Sequence, residues 1–148
     1  ERRRGDFIHR VMFFVEEVGD DFEDRLLKIN RRVKEENLLD FSEVEIFDRI
    51  ISIVNNNEVS GYFKTAQNRE IKREQEYVDF SGNLFRMDRV VIDPFKVTVI
   101  DYKTGANQGE KYHAQLENYM GILGDIYRDR SVAGLIAYID LNEVQTVR

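Results

Sequence analysis

The sequence predicts an α/β protein, tending towards α+β, with a mixed sheet of about four strands flanked by helices and a helical N-terminal half. Two observations support this prediction. Apolar residues recur at helical spacing in the first third of the chain, and from about Ile71 they follow the pattern of strands. The length of 148 residues suits a single domain over 1–148 that buries its own core.

Three helices are predicted in the N-terminal half. Their apolar positions are Phe7, Val11, Phe14, Val15 and Val18 in the first helix, and Phe22, Leu26, Ile29 and Val33 in the second. Residues 19–21, a glycine and two aspartates, separate these helices. We expect the third helix to begin at Ser42, where Ser42 and Glu45 form a capping box, and to end at the asparagines 55–57.

Strands dominate the remainder of the chain. The strand patterns cover residues 71–80, 84–92 and 97–103, with turn signals at 81–83 and 93–96. Asp93 and Pro94 suit the first two positions of a type I turn, which predicts a hairpin. A polar loop over 105–110 then leads to a helix over 111–128 and a last apolar strand over 132–139.

The composition excludes several classes of protein. The chain has no cysteine, which excludes disulfides, thiolate metal sites, iron–sulfur clusters and cysteine nucleophiles. Apolar runs are too short to predict a membrane span or a signal peptide. The net charge of −6 does not favour general affinity for nucleic acid. Three basic clusters are present, and each by itself fits a solvent-exposed helix face or an irregular chain end. They are Arg2–Arg4 with Arg10, Arg31–Arg32 with Lys34, and Arg69 with Lys72 and Arg73.

The predicted hairpin brings chemistry-bearing residues together. A four-residue turn pairs Ile92 with Val97, and this register places Asp88 directly opposite Asp101, with Cβ atoms about 5 Å apart. Lys103, two residues beyond Asp101, then lies on the same face. We expect the other face to be the core side near the turn, and it carries Met87, Val91, Thr98 and Ile100.

Two interpretations of this acidic pair are open. Carboxylates so close together repel, and they need a shared proton, neighbouring cations or a divalent metal. Arg86, Arg89 and Lys103 can supply the cations, which would make the cluster a structural salt bridge. Mg²⁺ or Mn²⁺ suits hard oxygen ligands from adjacent strands, and a neighbouring lysine can position or deprotonate a water. The metal interpretation explains both acids and the lysine, and we favour it.

Four segments resemble the motifs of a known family. The segments around Asp88 (Arg-Met-Asp-Arg-Val) and from Asp101 (Asp-Tyr-Lys-Thr-Gly) resemble the core of PD-(D/E)XK nucleases. Gly-Asp-Phe-Ile-His, ending at His9, and Gln-Leu-Glu-Asn-Tyr, from Gln115 to Tyr119, resemble the Gly-x-x-x-His and Gln-x-x-x-Tyr motifs of the RecB/AddA-like branch. No single motif is specific for the family, but the four motifs in the family's order, from position 5 to about 139, are.

The resemblance implies a restriction-endonuclease-like core and a function. It implies a Mg²⁺- or Mn²⁺-dependent DNA nuclease with exonuclease-like processing of DNA ends in recombination and repair. The implied catalytic residues are Asp88, Asp101 and Lys103. The implied metal ligands are His9, Asp88, Asp101 and the carbonyl of Tyr102. The implied DNA-positioning residues are Gln115, Tyr119 and Arg89.

Two positions add detail to the resemblance. Glu74 matches the family's Glu-x-x-Phe element and is a secondary candidate. A three-residue loop at 81–83 would put it on the face of Asp88, whereas a two-residue loop would turn it away. Phe85 stands where the family usually has glycine.

The resemblance also implies partners and a location. These are DNA and a helicase, either in the same chain or in a partner subunit, with no membrane, in the reducing bacterial cytoplasm. Because the chain starts at Glu1 rather than Met, we expect it to be a fragment of a longer helicase–nuclease. The alternative is a non-catalytic DNA-binding or scaffold module with the nuclease fold.

The residues alone leave simpler interpretations open for three side chains. His9 lies in an apolar helix, where a satisfied core histidine is common. Tyr119 can pack on Leu116 and Leu123 with its hydroxyl in water. His113, at the start of a polar helix, is expected at the surface.

Overall fold

The computed structural model describes residues 2–37 and 43–148. Its elements are α1 (Arg2–Phe13), α2 (Phe22–Asn37), α3 (Glu43–Val54), a 3₁₀ turn (Ser60–Phe63), β1 (Glu70–Val78), β2 (Leu84–Ile92), β3 (Lys96–Lys103), α4 (Glu110–Ile126), β4 (Ser131–Tyr138) and β5 (Glu143–Val147). They form two compact units: residues 1–65, 103–106 and 138–143, and residues 66–102, 107–137 and 144–148. The predicted α/β class and helical N-terminal half are confirmed.

The first unit contains α1 to α3, each with an apolar stripe. In α1 the buried residues are Phe7, Ile8, Val11 and Met12, which lie on one face of a helix. This helix ends at Phe13, earlier than predicted, because the N–H groups of Phe14 and Val15 bond three residues back, to Val11 and Met12. The predicted cap residue Ser42 lies outside the described residues. Within the described ranges, no helix is both long and apolar enough to cross a membrane.

The second unit is built on a sheet with the order β1-β2-β3-β4-β5. The pairs β1–β2 and β2–β3 are antiparallel. The Ser131 N–H donates to the Phe95 carbonyl, and the Ile139 N–H donates to the Lys103 carbonyl, with the same sequence offset. Strands β3 and β4 are therefore parallel, with α4 as their crossover, and the sheet is mixed as predicted.

Strand β5 is the element that the sequence pattern missed. It has five residues, Glu143–Val147, of which only Val147 is buried. A short strand at the end of a sheet needs few apolar residues, and it leaves a weak alternation in the sequence. The described sheet therefore has one strand more than the four expected.

The predicted core face of the hairpin is buried, and so is the opposite face, which was not predicted. Val90 and Val99, which share the face of Asp88, are as fully buried as Met87 and Ile100 on the other face. In β3, every residue from Val97 to Tyr102 is buried. Central strands that are covered on both faces carry continuous apolar runs rather than alternation.

Helix α4 packs very closely on β4 at a glycine. A Cβ on Gly134 would lie 2.7 Å from the Sδ of Met120 and 3.0 Å from the Cδ2 of Leu116. A side chain at this position would make Met120 and Leu116 shift, so glycine favours the close approach of α4 to the sheet.

Candidate active site

The register predicted for the β2–β3 hairpin is confirmed. Pairing runs from Ile92↔Val97 to Arg89↔Ile100, and the turn is closed by the Asp93 N–H, which donates to the Lys96 carbonyl at 2.8 Å. The ladder stops at Arg89. The next facing positions in this register are Asp88 and Asp101, so the acidic pair lies where the pairing of the two strands ends.

At this point the Asp88 carboxylate accepts a hydrogen bond that a backbone carbonyl would accept in a continued ladder. In a continued ladder the Tyr102 N–H would face the Met87 carbonyl. Here the Tyr102 N–H donates to Asp88 Oδ2 at 2.8 Å. A bond from a backbone N–H to a carboxylate is charge-assisted, so it fixes the orientation of the Asp88 side chain. Asp88 is half-buried, and Asp101 is only 5% exposed.

Tyr119 on α4 lies close to both acids. Burial raises the pKa of its phenol, and the charges of Asp101 and then Asp88 raise it further. The Gln115 side chain donates to the Tyr119 hydroxyl at 3.0 Å, so both residues share one helix face as predicted. Tyr119 as a whole is only 6% exposed.

Phe85 occupies the position where the family resembled by the sequence motifs usually has glycine. Its ring meets the Tyr119 ring edge to face, with centroids 6.1 Å apart. The aromatic side chain thus supports Tyr119 from the β2 side, a contact that glycine could not make.

Lys103 is the last residue of β3. Strand alternation puts its side chain on the side of Asp101, two residues earlier. Its carbonyl accepts the Ile139 N–H at 2.9 Å, which ties this end of β3 to the residue after β4. The lysine is half-buried.

Arg86 lies beyond the last residue pair of the β2–β3 ladder. On the other side of β2 it pairs with Glu76 of β1. Its guanidinium lies 3.6 Å from the Glu74 carboxylate. This contact draws the Arg86 charge towards β1.

Glu74 lies opposite Asp88 in the register of β1 and β2. The pairs Arg73↔Arg89 and Gln75↔Met87 flank this position, but Glu74 itself is outside the ladder. Its backbone has φ 47°, in the left-handed region that non-glycine residues rarely adopt. The register therefore places Glu74 opposite Asp88, at a strained residue whose carboxylate contacts Arg86.

Neither loop length considered for the β1–β2 connection is found. Val78 pairs with Leu84, which leaves a five-residue loop. Asp79 organises this loop, because its Oδ1 accepts the N–H groups of Ser81 and Asn83, both at 2.9 Å. These bonds, with that from Asn83 first, hold the pKa of Asp79 below its ordinary value. Asp79, two residues before Ser-Gly-Asn, is the residue in the sequence that could have indicated a longer turn.

The burial of Arg89 contradicts its predicted contact with DNA. Arg89 is 0% exposed, and alternation puts it on the sheet face opposite to Asp88. Its guanidinium is hydrogen-bonded to the side chain of Tyr102. A side chain in this position does not reach a DNA strand in solvent.

His9 belongs to the first unit, on α1. Its Nδ1 lies 3.0 Å from the Gly5 carbonyl oxygen. A carbonyl only accepts, so the neutral ring carries its proton on Nδ1 and its lone pair on Nε2. This is a common arrangement for metal-binding histidines, although the ligand role of His9 stays a prediction.

Gly5, the first residue of the same motif, is explained by close packing. A Cβ on Gly5 would lie 3.0 Å from the Oγ1 of Thr104. The absence of a side chain lets α1 approach the residue that directly follows Lys103.

Asp140 is a residue that sequence reasoning missed. Its Oδ2 accepts the Gly105 N–H at 2.6 Å, and Arg4 donates to both of its oxygens, at 2.5 and 2.9 Å. Arg4 first, and Gly105 with it, hold the pKa of Asp140 below its ordinary value. Asp140 thus ties the start of α1 to the loop after Lys103, and no local pattern in the sequence indicates it.

Other basic residues also have structural contacts. The guanidinium groups of Arg10 and Arg32 lie 4.8 and 4.6 Å from the centroid of the Phe14 ring. Arg69 donates to the Asp93 carboxylate at 2.7 and 3.1 Å. His113 contacts Glu117 at 2.7 Å and is part-exposed, as expected of a surface residue. These charges serve packing within each unit.

The donor set suits a small divalent cation. Among the described residues, no group of three or more His, Asp or Glu side chains is arranged to hold a metal. Mg²⁺ commonly takes only one or two carboxylates and fills its shell with water and substrate phosphate. Asp88 and Asp101 provide two such carboxylates, so the residues present fit Mg²⁺ or Mn²⁺.

A cavity of about 220 Å³ lies elsewhere in the second unit, between the β1–β2 loop and the end of α4. Its lining residues are Val78, Asp79, Phe80, Ile122, Asp125, Ile126 and Arg128. Neither aspartate of the acidic pair lines it, so the cavity is not where the chemistry would take place.

The fold and the acidic hairpin define the class of the protein. A mixed sheet whose antiparallel hairpin presents Asp88, Asp101 and Lys103 in this order is typical of restriction-endonuclease-like proteins. The chain matches the PD-(D/E)XK nuclease superfamily over residues 1–148, and it belongs to that superfamily. Members of the superfamily are metal-dependent nucleases. No curated protein matches the chain.

Proposed function

We propose that this domain is a Mg²⁺- or Mn²⁺-dependent DNA exonuclease of the RecB/AddA-like type, which processes DNA ends in recombination and repair. The observation that carries the proposal is the hairpin register, which brings Asp88 and Asp101 to facing positions where the ladder ends. Lys103 follows on the same strand. The reaction is hydrolysis of a phosphodiester, in which water attacks phosphorus and a P–O bond breaks.

The roles of the acidic pair and the lysine follow from their chemistry. Asp88 and Asp101 would hold the metal, with the Tyr102 carbonyl and His9 as further ligands. When bound, a divalent cation polarises the phosphate and lowers the pKa of a coordinated water. Lys103 orients or deprotonates the attacking water, and its charge stabilises negative charge that develops on the phosphate.

Gln115 and Tyr119 would position the DNA strand. Gln115 donates to the Tyr119 oxygen, which leaves the phenolic proton for another acceptor. A phosphate oxygen held beside the acidic pair is a suitable acceptor. A phenol is protonated at neutral pH, and burial raises the pKa of Tyr119 further above its ordinary value.

The proposed partners are DNA and a helicase, in the same chain or in another subunit, in the bacterial cytoplasm. An enzyme that acts on ends needs no base-specific readout, because phosphate contacts suffice to position a strand. The helicase would supply unwound ends to the nuclease site.

The test is cleavage of DNA by matched variants. We expect the parent protein to degrade linear single- or double-stranded DNA with Mg²⁺ or Mn²⁺ and to spare closed circles. Asp101→Asn and Lys103→Met should each reduce the rate at least about 100-fold. Asp125→Asn, an exposed acid on α4, is the control and should cleave like the parent.

Three outcomes would contradict the proposal in whole or in part. Undiminished cleavage by both Asp101→Asn and Lys103→Met would exclude this site. A parent protein that binds DNA but does not cleave it would instead support the scaffold alternative. Cleavage of closed circular DNA would show that the activity is endonucleolytic rather than exonucleolytic.

A further inference from the structure

A charged side chain is buried directly behind the candidate site. Arg89 is 0% exposed and is among the largest fully buried side chains of the described chain. Its partner across the β1–β2 ladder is another cation, Arg73. Like charges at directly opposed positions destabilise a sheet, and burying a guanidinium costs more than burying an apolar side chain of its size. Stability alone does not account for an arginine at this position.

The contacts of Arg89 lead to the acidic pair through one residue. The guanidinium is hydrogen-bonded to the Tyr102 side chain, and Tyr102 is 3% exposed. The backbone N–H of the same tyrosine donates to Asp88 Oδ2 at 2.8 Å. Tyr102 therefore joins the arginine on one face of the sheet to the carboxylate on the other.

We infer that Arg89 is a positioning residue for the proposed metal site. It holds Tyr102 from behind the sheet, and Tyr102 in turn holds the Asp88 carboxylate where the ladder ends. This inference rests on the proposed function, and it replaces the DNA contact first expected of Arg89. Partners that orient a metal ligand typically change metal affinity or activity 10–100-fold when they are removed.

The test uses two small changes and their combination. Arg89→Met removes the charge and keeps much of the volume, and Tyr102→Phe removes one oxygen atom. We expect each to weaken Mn²⁺ binding about tenfold, measured by electron paramagnetic resonance of the free ion. Since both act through one contact, the double variant should weaken binding no further than either single one. The KM for DNA should stay unchanged, because Arg89 is buried.

A stability readout separates positioning from a merely structural role. Replacing a buried polar pair by apolar groups of similar shape is often neutral or stabilising. The double variant should therefore have a urea midpoint no lower than that of the parent, while it binds Mn²⁺ more weakly. Arg69→Met is the matched control: it breaks the Arg69–Asp93 ion pair at the other end of β2, and it should lower the midpoint without changing Mn²⁺ affinity.

The outcomes are distinct from those for the proposed function. If the parent binds Mn²⁺ and cuts DNA, but the variants bind Mn²⁺ as the parent does, only the positioning role is overturned. A double variant that loses stability and metal affinity together also overturns it, in favour of a structural role. If the parent neither binds Mn²⁺ nor cuts, the proposed function falls, and this inference with it. Should Arg89→Met not fold, Tyr102→Phe alone decides the question.

Discussion

At the scale of single residues, the candidate site combines strain with fixed hydrogen bonds. Glu74 adopts a left-handed backbone in the middle of β1, opposite Asp88. Such a conformation costs a non-glycine residue about 1–2 kcal/mol. Strained residues of this kind cluster at functional sites, where the surrounding structure holds them in place. A mutation at Glu74 can show how much the backbone strain costs in stability.

We expect Glu74→Gly to raise the free energy of unfolding by about 1 kcal/mol, because glycine adopts φ 47° without strain. The exposed contact with Arg86 contributes little that is lost. Urea unfolding measures the change. Gln75→Gly, at the next residue of the strand, should instead destabilise by about 0.5–1 kcal/mol. A Glu74→Gly variant less stable than the parent would contradict the strain.

Asp140 gives a prediction about pH. The pKa of Asp140 is lowered in the folded state, chiefly by Arg4, so its contribution to stability is present above the unfolded pKa, about 3.9, and is lost as the pH falls. Asp140→Asn should therefore lower the urea midpoint at pH 7, with a smaller difference from the parent near pH 3. Asp20→Asn, at an exposed site, is the control. A difference that grows on acidification would contradict this sign.

At the scale of elements, the packing of α4 on β4 sets the position of Tyr119. Gly134 permits the close approach of the helix beside Leu116, one turn before Tyr119. Any change in this contact should move the helix face that carries the tyrosine. Alanine substitutions at two glycines test how closely α4 packs at this contact.

We expect Gly134→Ala to destabilise the protein by about 1–3 kcal/mol, because the new Cβ would overlap Met120 and press on Leu116. The Met120 side chain can move away, but Leu116 is buried and has less freedom. Gly121→Ala on α4 has open space around its Cβ and should stabilise the helix by about 0.5–1 kcal/mol. Thermal unfolding of both variants checks the two opposite signs.

At the scale of the whole molecule, local signals predicted most of the fold. The order of elements up to β4 followed from periodicity, and the turn at Asp93 and Pro94 was enough to predict the register of the acidic pair. The β1–β2 loop was missed because the Asp79 side chain extends it. Strand β5 was missed because it is short and mostly polar.

Long-range contacts account for the remaining differences. The burial of Arg89 was missed because a charged residue in a strand pattern ordinarily indicates exposure. Tyr102, its partner, lies on the neighbouring strand, and no local pattern joins the two. Arg4 and Asp140 are 136 residues apart in the chain, so their pairing leaves no trace in any short segment.

That last separation also orders events during synthesis of the protein. The start of α1 leaves the ribosome before its anchor, Asp140, which emerges only after 136 further residues. The loop behind Lys103 cannot close on Asp140 before then. A growing chain that already contains α1 and the loop after Lys103 therefore still lacks the residue that ties them together, and this contact forms only after β4 has been synthesised.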